Sequence, residues 1–370
     1  MKNVFITGTG LYTPPNKISN QELVAAFNIY VDNFNGQHKS DIANGSKQAL
    51  EYSSEAFIEK ASGILSRYVV EKSGILNPKI MHPLLPERQD TELSYQAEMG
   101  VAAAHQALDK AGLKASQIDQ IIVACSNFQR PYPAISIEIQ AALGAGGSAY
   151  DMNVACSSAT FGIQNALAAI QSGIYNNVLV INAEICSSHL DFTDRDCHFI
   201  FGDACTAIVL QADSKPNSFK VLSSQLQTLY SNNIRNNSGF LDRTDPLSIG
   251  NRGKLFKQAG RKVFKEVLPM VSDHIAQHLA TSKINPAQLK RLWLHQANLS
   301  MNQFIAKKVM GRVVENDEAP TILDEYANTS SAGSIIAFHK YQTDLQPGDI
   351  GLISSFGAGY SVGSLLIQMV

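Results

Sequence analysis

Three side chains in this sequence have the chemistry of a nucleophile and its assistants. Cys156 stands within Ala149–Gly162, a stretch that reads as a strand end, a sharp turn and a helix start. Downstream, Phe161, Ile163, Leu167 and Ile170 recur at helical spacing, and Gly173 supplies the stop. A helix N-terminus carries about half a positive charge and presents free N–H groups. A thiol there is expected to ionise readily, and the thiolate is the reactive species. Cys125 and Cys186 also follow apolar runs, but one enters a proline-rich segment and the other an Asp-rich loop. They read as small buried hydrophobes. His295 ends the run Leu292-Trp293-Leu294; taken alone, it is equally a core histidine satisfied by a backbone carbonyl. Asn328, ahead of Thr329-Ser330, taken alone reads most simply as a helix N-cap. The glycines of Phe356–Gly363 suit a hairpin; a strand follows them, which argues against a phosphate loop.

The elements that must position these groups alternate. Val4-Phe5-Ile6 is a strand running into Gly8-Thr9-Gly10; Thr13 and Pro14-Pro15 argue against a dinucleotide loop there. Residues 19–30 are expected to be helical and 31–50 to be a polar loop. Helices are expected over 92–111, 135–143, from just after Cys156 to Gly173, 258–279 and 302–310, with strands at 120–125, just before Cys156, 177–182, at the end of 201–210 after a turn, 219–229, 292–294, 350–354 and 364–369. Residues 231–250 read as irregular surface chain. A polar stretch at 213–218 divides the chain into halves 1–213 and 214–370. Each half begins with a strand and contains a strand–turn–helix unit bearing a reactive side chain, an α/β pattern with helices on the sheet faces.

The chain has 370 residues, a net charge of −2 and five scattered cysteines. That is enough for a large core and gives no basic field to recruit nucleic acid or a membrane. The cysteines suit a reducing cytoplasm rather than a disulfide framework. No apolar run approaches the ~20 residues that span a bilayer, and the N-terminus lacks a signal-peptide pattern.

Taken together, Asp151–Ser158, Phe201-Gly202-Asp203, His295-Gln296-Ala297-Asn298, Asn328-Thr329-Ser330 and Phe356-Gly357-Ala358-Gly359 resemble the β-ketoacyl-acyl-carrier-protein synthase III enzymes in order and spacing. The resemblance implies a thiolase-like fold: two pseudo-duplicated α/β halves in five layers, α-β-α-β-α, assembled as a homodimer. It implies that Cys156 takes an acyl group from a thioester, of coenzyme A or of acyl carrier protein, with no metal or other cofactor. His295 and Asn328 would stabilise the enolate formed as a malonyl thioester loses CO2, and the amides of Cys156 and Ala358 would form the oxyanion hole. Phe57, Tyr132, Asn298, Phe356 and Gly357 would contact substrate. Lys307, Lys308, Arg252 and Lys257 would meet the acidic carrier protein.

Some positions depart from the family pattern. The arginine that grips adenine is replaced by Ala61, beside Lys60, and a docking arginine is replaced by Ser300. An extra segment, residues 31–55, precedes the tunnel mouth. Tyr132 falls where a dimer-interface aromatic limits acyl length, and Ser158 replaces a common glycine beside the nucleophile. These changes suggest a medium-chain starter. Two rivals are an acyltransferase of secondary metabolism with the same fold, and a non-catalytic partner subunit. The second is disfavoured because Cys156, His295 and Asn328 are all present. His274 and His278 lie four apart without a metalloprotease glutamate and read as a solvated helix face. The loop His189–His198 resembles a family loop beside the substrate tunnel, and the resemblance accounts for it better than a metal site does.

Overall fold

The computed structural model describes residues 2–245, 247 and 252–370. The first strand, β1 (Phe5–Tyr12), passes straight through Gly8-Thr9-Gly10. A Cβ on Gly8 or Gly10 would fall 2.0 or 1.9 Å from the carbonyl oxygen of Ala107 or Ala103. The glycines are there so that the helix Tyr95–Ala111 can lie on the strand, not to form a loop. A small pair, β2 (Asn16–Ser19) with β3 (Ser66–Val69), follows. Between its strands lie α1 (Asn20–Gln37), α2 (Lys39–Ala43) and α3 (Glu55–Ser62).

The first part of the extra segment is therefore helix, not loop. Ser19 and Glu22 form a capping box, and Leu23, Phe27 and Val31 keep one face of α1 buried past residue 30. The returning chain is clipped to that helix. The Asn28 carboxamide accepts from Ser53 N–H (2.9 Å) and donates to Ser53 O (3.2 Å). Asn35 does the same with Leu50, at 2.9 and 3.0 Å.

The remaining first-half elements are α4 (Tyr95–Ala111), β4 (Gln120–Ala124), α5 (Ile135–Leu143), β5 (Ser148–Met152), α6 (Ser158–Gln171), β6 (Asn177–Ile185) and β7 (Asp203–Gln211). The second set opens with β8 (Phe219–Ser231), β9 (Ile234–Arg235), β10 (Lys257–Gln258) and α7 (Gly260–Thr281). It continues with β11 (Leu289–Leu294), α8 (Leu299–Met310), α9 (Leu323–Tyr326), α10 (Ala332–Lys340), β12 (Ile350–Gly357) and β13 (Gly359–Met369).

Nine strands pair in the order β11-β12-β13-β8-β1-β7-β6-β4-β5. The duplication shows in the pairing. β4 runs parallel to β6, β6 antiparallel to β7 and β7 antiparallel to β1. In the same way β11 runs parallel to β12, β12 antiparallel to β13 and β13 antiparallel to β8. Among the described residues the two half-sheets pair through Phe5 with Lys220 and Ile6 with Phe219, beside Val221 N–H donating to Val4 O at 2.9 Å.

Side chains alternate across the first half-sheet. Ile121, Val123, Leu179 and Ile181 face α4 and α5, whereas Ile122, Val178 and Val180 face α6. Both faces are covered, which is why these strands read as continuous apolar runs. α6 and α10 touch both half-sheets, and α7 and α8 cover the outer face of the second. That gives five layers, with the largest core around the two middle helices.

One surface assignment is corrected. His274 and His278 are buried against β8 and β13, and both ring nitrogens find Ser364 Oγ, at 3.0 and 2.7 Å. They are a satisfied core pair, kept below the usual imidazole range by burial.

Candidate active site

The turn that carries Cys156 is built by its neighbours. Ala155 has φ of 47°, a region costly for a residue with a side chain, and Cys156 follows in a short 3-10 turn ahead of α6. Asn153 Oδ1 accepts from Ala155 N–H at 2.8 Å. Ser158 Oγ donates to Ala155 O at 2.7 Å and accepts from Val154 N–H at 2.8 Å. Ser158 is thus spent inside the turn and does not line the cavity in front of the sulfur.

Behind the sulfur runs the hairpin of β12 and β13, whose tip is Ala358. A Cβ on Gly357 would fall 2.6 Å from Cys156 Cβ and 2.9 Å from Sγ, so only glycine allows that approach. Burial pushes the Cys156 thiol up to about 11. The Ser330 side chain opposes this, the Glu184 charge adds to it, and the amides of Ala358 and of Cys156 itself also oppose it. The expected easily ionised thiol is therefore not present in the resting site. Loss of hydration around the sulfur outweighs the helix N-terminus. The two amides that address the sulfur are those of the expected oxyanion hole.

His295 follows β11 and is 2% exposed. Its N–H donates to Ser354 O at 2.8 Å, and Phe356 meets the ring edge-on at 5.1 Å. Burial holds the imidazole down to about 4, with the Ser330 backbone opposing, so the ring is neutral at pH 7. Its Nδ1 is buried with no hydrogen-bond partner among the described residues.

Asn328 is not a helix cap. It pairs with Phe201 in an isolated bridge, and its Oδ1 accepts from Ser330 N–H at 2.9 Å. With that oxygen held, the Nδ2 amino group is the end left to donate. Gln296, fully buried, ties the His295 segment to the approach to Asn328: its Oε1 accepts from Thr321 Oγ1 and Ile322 N–H at 3.1 and 3.0 Å. Asn298 caps α8 through Met301 N–H and donates to Ala61 O at 2.6 Å.

Cys156, His295 and Asn328 line one cavity of about 350 Å³, together with Phe57, Asn298, Phe356 and Gly357. Tyr132 is 82% exposed and lies outside it. Several wall residues were not singled out from the sequence. Ile234 and Phe256 come from the stretch around the expected surface chain, and Phe264 and Val267 come from α7. Phe256 packs edge-on against Phe201 at 4.7 Å. The expected tunnel-wall loop contributes Asp196, with Phe199, Ile200 and Phe201 after it.

At the mouth, the Arg195 guanidinium lies 4.1 Å over the Phe57 ring, and Phe199 meets that ring edge-on. Arg195 Nε donates to Tyr52 O at 2.7 Å, so the extra segment holds the arginine in place. Lys257, Lys307 and Lys308 are exposed, and Lys257 adjoins the lining residue Gln258. The Arg252 side chain lies outside the described residues. Among the described residues no cluster of three or more His, Cys, Asp or Glu could hold a metal, and no helix is long and apolar enough to cross a membrane.

Residues 150–229 match the family model of 3-oxoacyl-[acyl-carrier-protein] synthase III, and residues 279–369 match its C-terminal model. The chain is 59% identical over 347 residues, covering 93% of it and 99% of the relative, to the β-ketodecanoyl-[acyl-carrier-protein] synthase of Pseudomonas aeruginosa. The chain belongs to the 3-oxoacyl-[acyl-carrier-protein] synthase III family. It is a condensing enzyme of the transferase class. A β-ketoacyl-[acyl-carrier-protein] synthase III of Granulibacter bethesdensis is 29% identical over the full length of both chains. Among solved structures, the priming β-ketosynthase of the R1128 polyketide pathway superposes with a TM-score of 0.78 at 23% identity, over 100% of this chain and 96% of that one. The synthase III of P. aeruginosa PAO1 superposes with 0.77 at 21%, over 99% and 98%. At that identity the likeness speaks for the thiolase-like fold alone.

Proposed function

We propose that this synthase III relative takes an octanoyl or similar medium-chain acyl group from a thioester onto Cys156, then condenses it with a malonyl thioester. In the first half-reaction the sulfur attacks the thioester carbonyl, the donor thiol leaves, and the amides of Cys156 and Ala358 hold the oxyanion. In the second, the malonyl carboxylate departs as CO2. The electron pair left behind attacks the acyl-cysteine carbonyl, and the cysteine thiolate is released. His295 and Asn328 Nδ2 would donate to the malonyl thioester oxygen as its charge grows. A neutral imidazole suits that role, because a donor is needed and not a full cation.

The observation that carries this reading is the shared cavity. A sulfur faced by two amides, an imidazole and a carboxamide reach one volume from two halves of the chain. The chain length is inferred from the 59% relative, whose β-ketodecanoyl product is an octanoyl group plus two carbons. Coenzyme A and acyl carrier protein thioesters are the proposed substrates, with Lys257, Lys307 and Lys308 meeting the carrier.

A homodimer is proposed through β5, the outer strand of the first half-sheet, near which Tyr150, Ile137 and Tyr132 are exposed. In such a dimer Tyr132 would serve the partner's acyl pocket. Five free cysteines accord with a cytoplasmic location. The test is product mass after incubation with octanoyl-CoA or acetyl-CoA and malonyl-carrier protein. β-Ketodecanoyl product formed in preference to acetoacetyl supports the reading, and the reverse order overturns it.

A further inference from the structure

One buried carboxylate takes no part in the chemistry above. Glu184 lies near the end of β6 and is 1% exposed. Two serines give it four donors, and Cys186 Sγ adds a weak fifth at 3.8 Å. Ser126 donates through N–H at 3.0 Å and through Oγ at 2.6 Å. Ser331 donates through N–H at 3.2 Å and also through Oγ.

The serines belong to different halves. Ser126 follows β4, and its carbonyl accepts from Asn153 Nδ2 at 2.7 Å; Asn153 in turn holds the Ala155 amide beside Cys156. Ser331 opens α10 and directly follows Ser330, whose backbone faces His295 and whose amide fixes Asn328. We propose that Glu184 is a positioning residue that fastens the Asn328–Ser331 turn to the Cys156 turn, registering the malonyl-binding donors against the sulfur. The inference rests on the roles proposed above for Cys156, His295 and Asn328.

The two oxygens divide the work. Oε1 accepts from both backbone N–H groups and from Ser331 Oγ, and Oε2 accepts from Ser126 Oγ and Cys186 Sγ. A glutamine carbonyl could take the place of Oε1, but its NH2 would replace Oε2, turn the Ser126 hydroxyl from donor to acceptor and remove the charge, which weakens the tie to Ser126. The two turns do not depend on Glu184 equally. The Cys156 turn has further clasps: Ser158 on Ala155 and Val154, and Ser157 Oγ donating to Ser361 O at 3.1 Å. The Asn328–Ser331 turn is clasped at its Asn328 end, by the bridge to Phe201 and by Asn328 N–H donating to Ile200 O at 3.0 Å. At its other end Ser330 has φ of 50°, and among the described residues the Ser331 side chain has only Ala124 O, at 3.3 Å, besides Glu184. A loosened frame should therefore misplace the enolate-stabilising donors before it misplaces the nucleophile.

The test compares E184Q, S331A and the double variant with wild type in the full-length protein. Single-turnover octanoylation of Cys156 by octanoyl-CoA is followed by intact mass. Condensation of the preloaded acyl-enzyme with malonyl-carrier protein is followed separately. We expect E184Q to load within about threefold of wild type but to condense about 30-fold or more slowly, the size of effect a small misplacement produces. S331A should show the same bias, and the double variant should be no worse than E184Q alone. Equal losses in both steps, or no loss in either, would overturn the proposal. If E184Q does not fold, S331A decides by the same split. Wild type that loads but does not condense would instead sink the functional reading, leaving the two failures distinguishable.

Discussion

The end of β4 and the end of β11 occupy equivalent places in the two halves, and they have opposite fates. Cys125 follows β4 and is sealed: its Sγ donates to Asn127 O at 3.2 Å, Gln96 from α4 packs against it, and burial raises its thiol well above the usual range. His295 follows β11 and opens on the cavity. The turns before the middle helices reverse the pattern. Ala155 and Ser330 share an unusual positive φ, 47° and 50°. After the first comes a sulfur in the cavity; after the second comes Ser331, turned to Glu184. Duplication supplied two nearly matching backbones, and side-chain choice placed the nucleophile on one and the donors on the other.

The comparison breaks first at the sulfur. Cys156→Ala should abolish the acyl adduct and lower condensation by about 10⁴-fold or more, measured by intact mass and product formation. Asn328→Ala or His295→Ala should slow condensation by roughly 10²–10³-fold while single-turnover loading of Cys156 stays close to wild type. Loading lost in step with condensation would erase the division of labour between the halves. In the absence of substrate, alkylation of Cys156 should rise about tenfold per pH unit from 7 to 10, because a thiol with a raised pKa gains thiolate throughout that range. A plateau below pH 8 would show the easily ionised cysteine that the helix N-terminus suggests. Lys257→Glu should raise KM for malonyl-carrier protein a few-fold, about the effect of a rim charge, and leave octanoyl-CoA loading alone. Cys125→Ala should change neither half-reaction by more than about twofold, which would confirm the sealed counterpart as packing.

Much of this could be read from the letters. Helix periodicity and a following glycine placed α4, α5 and α6 within a few residues of where they lie. Cys156, His295 and Asn328 stood out by residue type and by their resemblance to a family. What could not be read was non-local. The Asn, Gly and Ser of 31–50 suggest a loop, because nothing nearby shows that Asn35 clips the returning chain at Leu50. The helix end beside Cys156 is visible in the sequence, and the enclosure that raises the thiol is not. His274 and His278 looked solvated because their partner, Ser364, lies some ninety positions further along. Glu184 gave no signal at all. A lone glutamate in an apolar strand reveals its use only when serines from both halves converge on it.

The two-pair junction of β1 with β8 has a mechanical consequence. Phe5 pairs with Gln211 and Gln211 with Asn177, so the junction sits where β6 begins, roughly 23 Å from where that strand delivers Glu184. The half-sheets are gripped at one end, like the tines of a fork, and α6 and α10 are wedged between them. Adding methylenes at Ala166 or Ala337, deep in that wedge, would spread the far ends and widen the gap between thiol and imidazole without touching either group. The aperture of the reaction chamber is set by the girth of two helices.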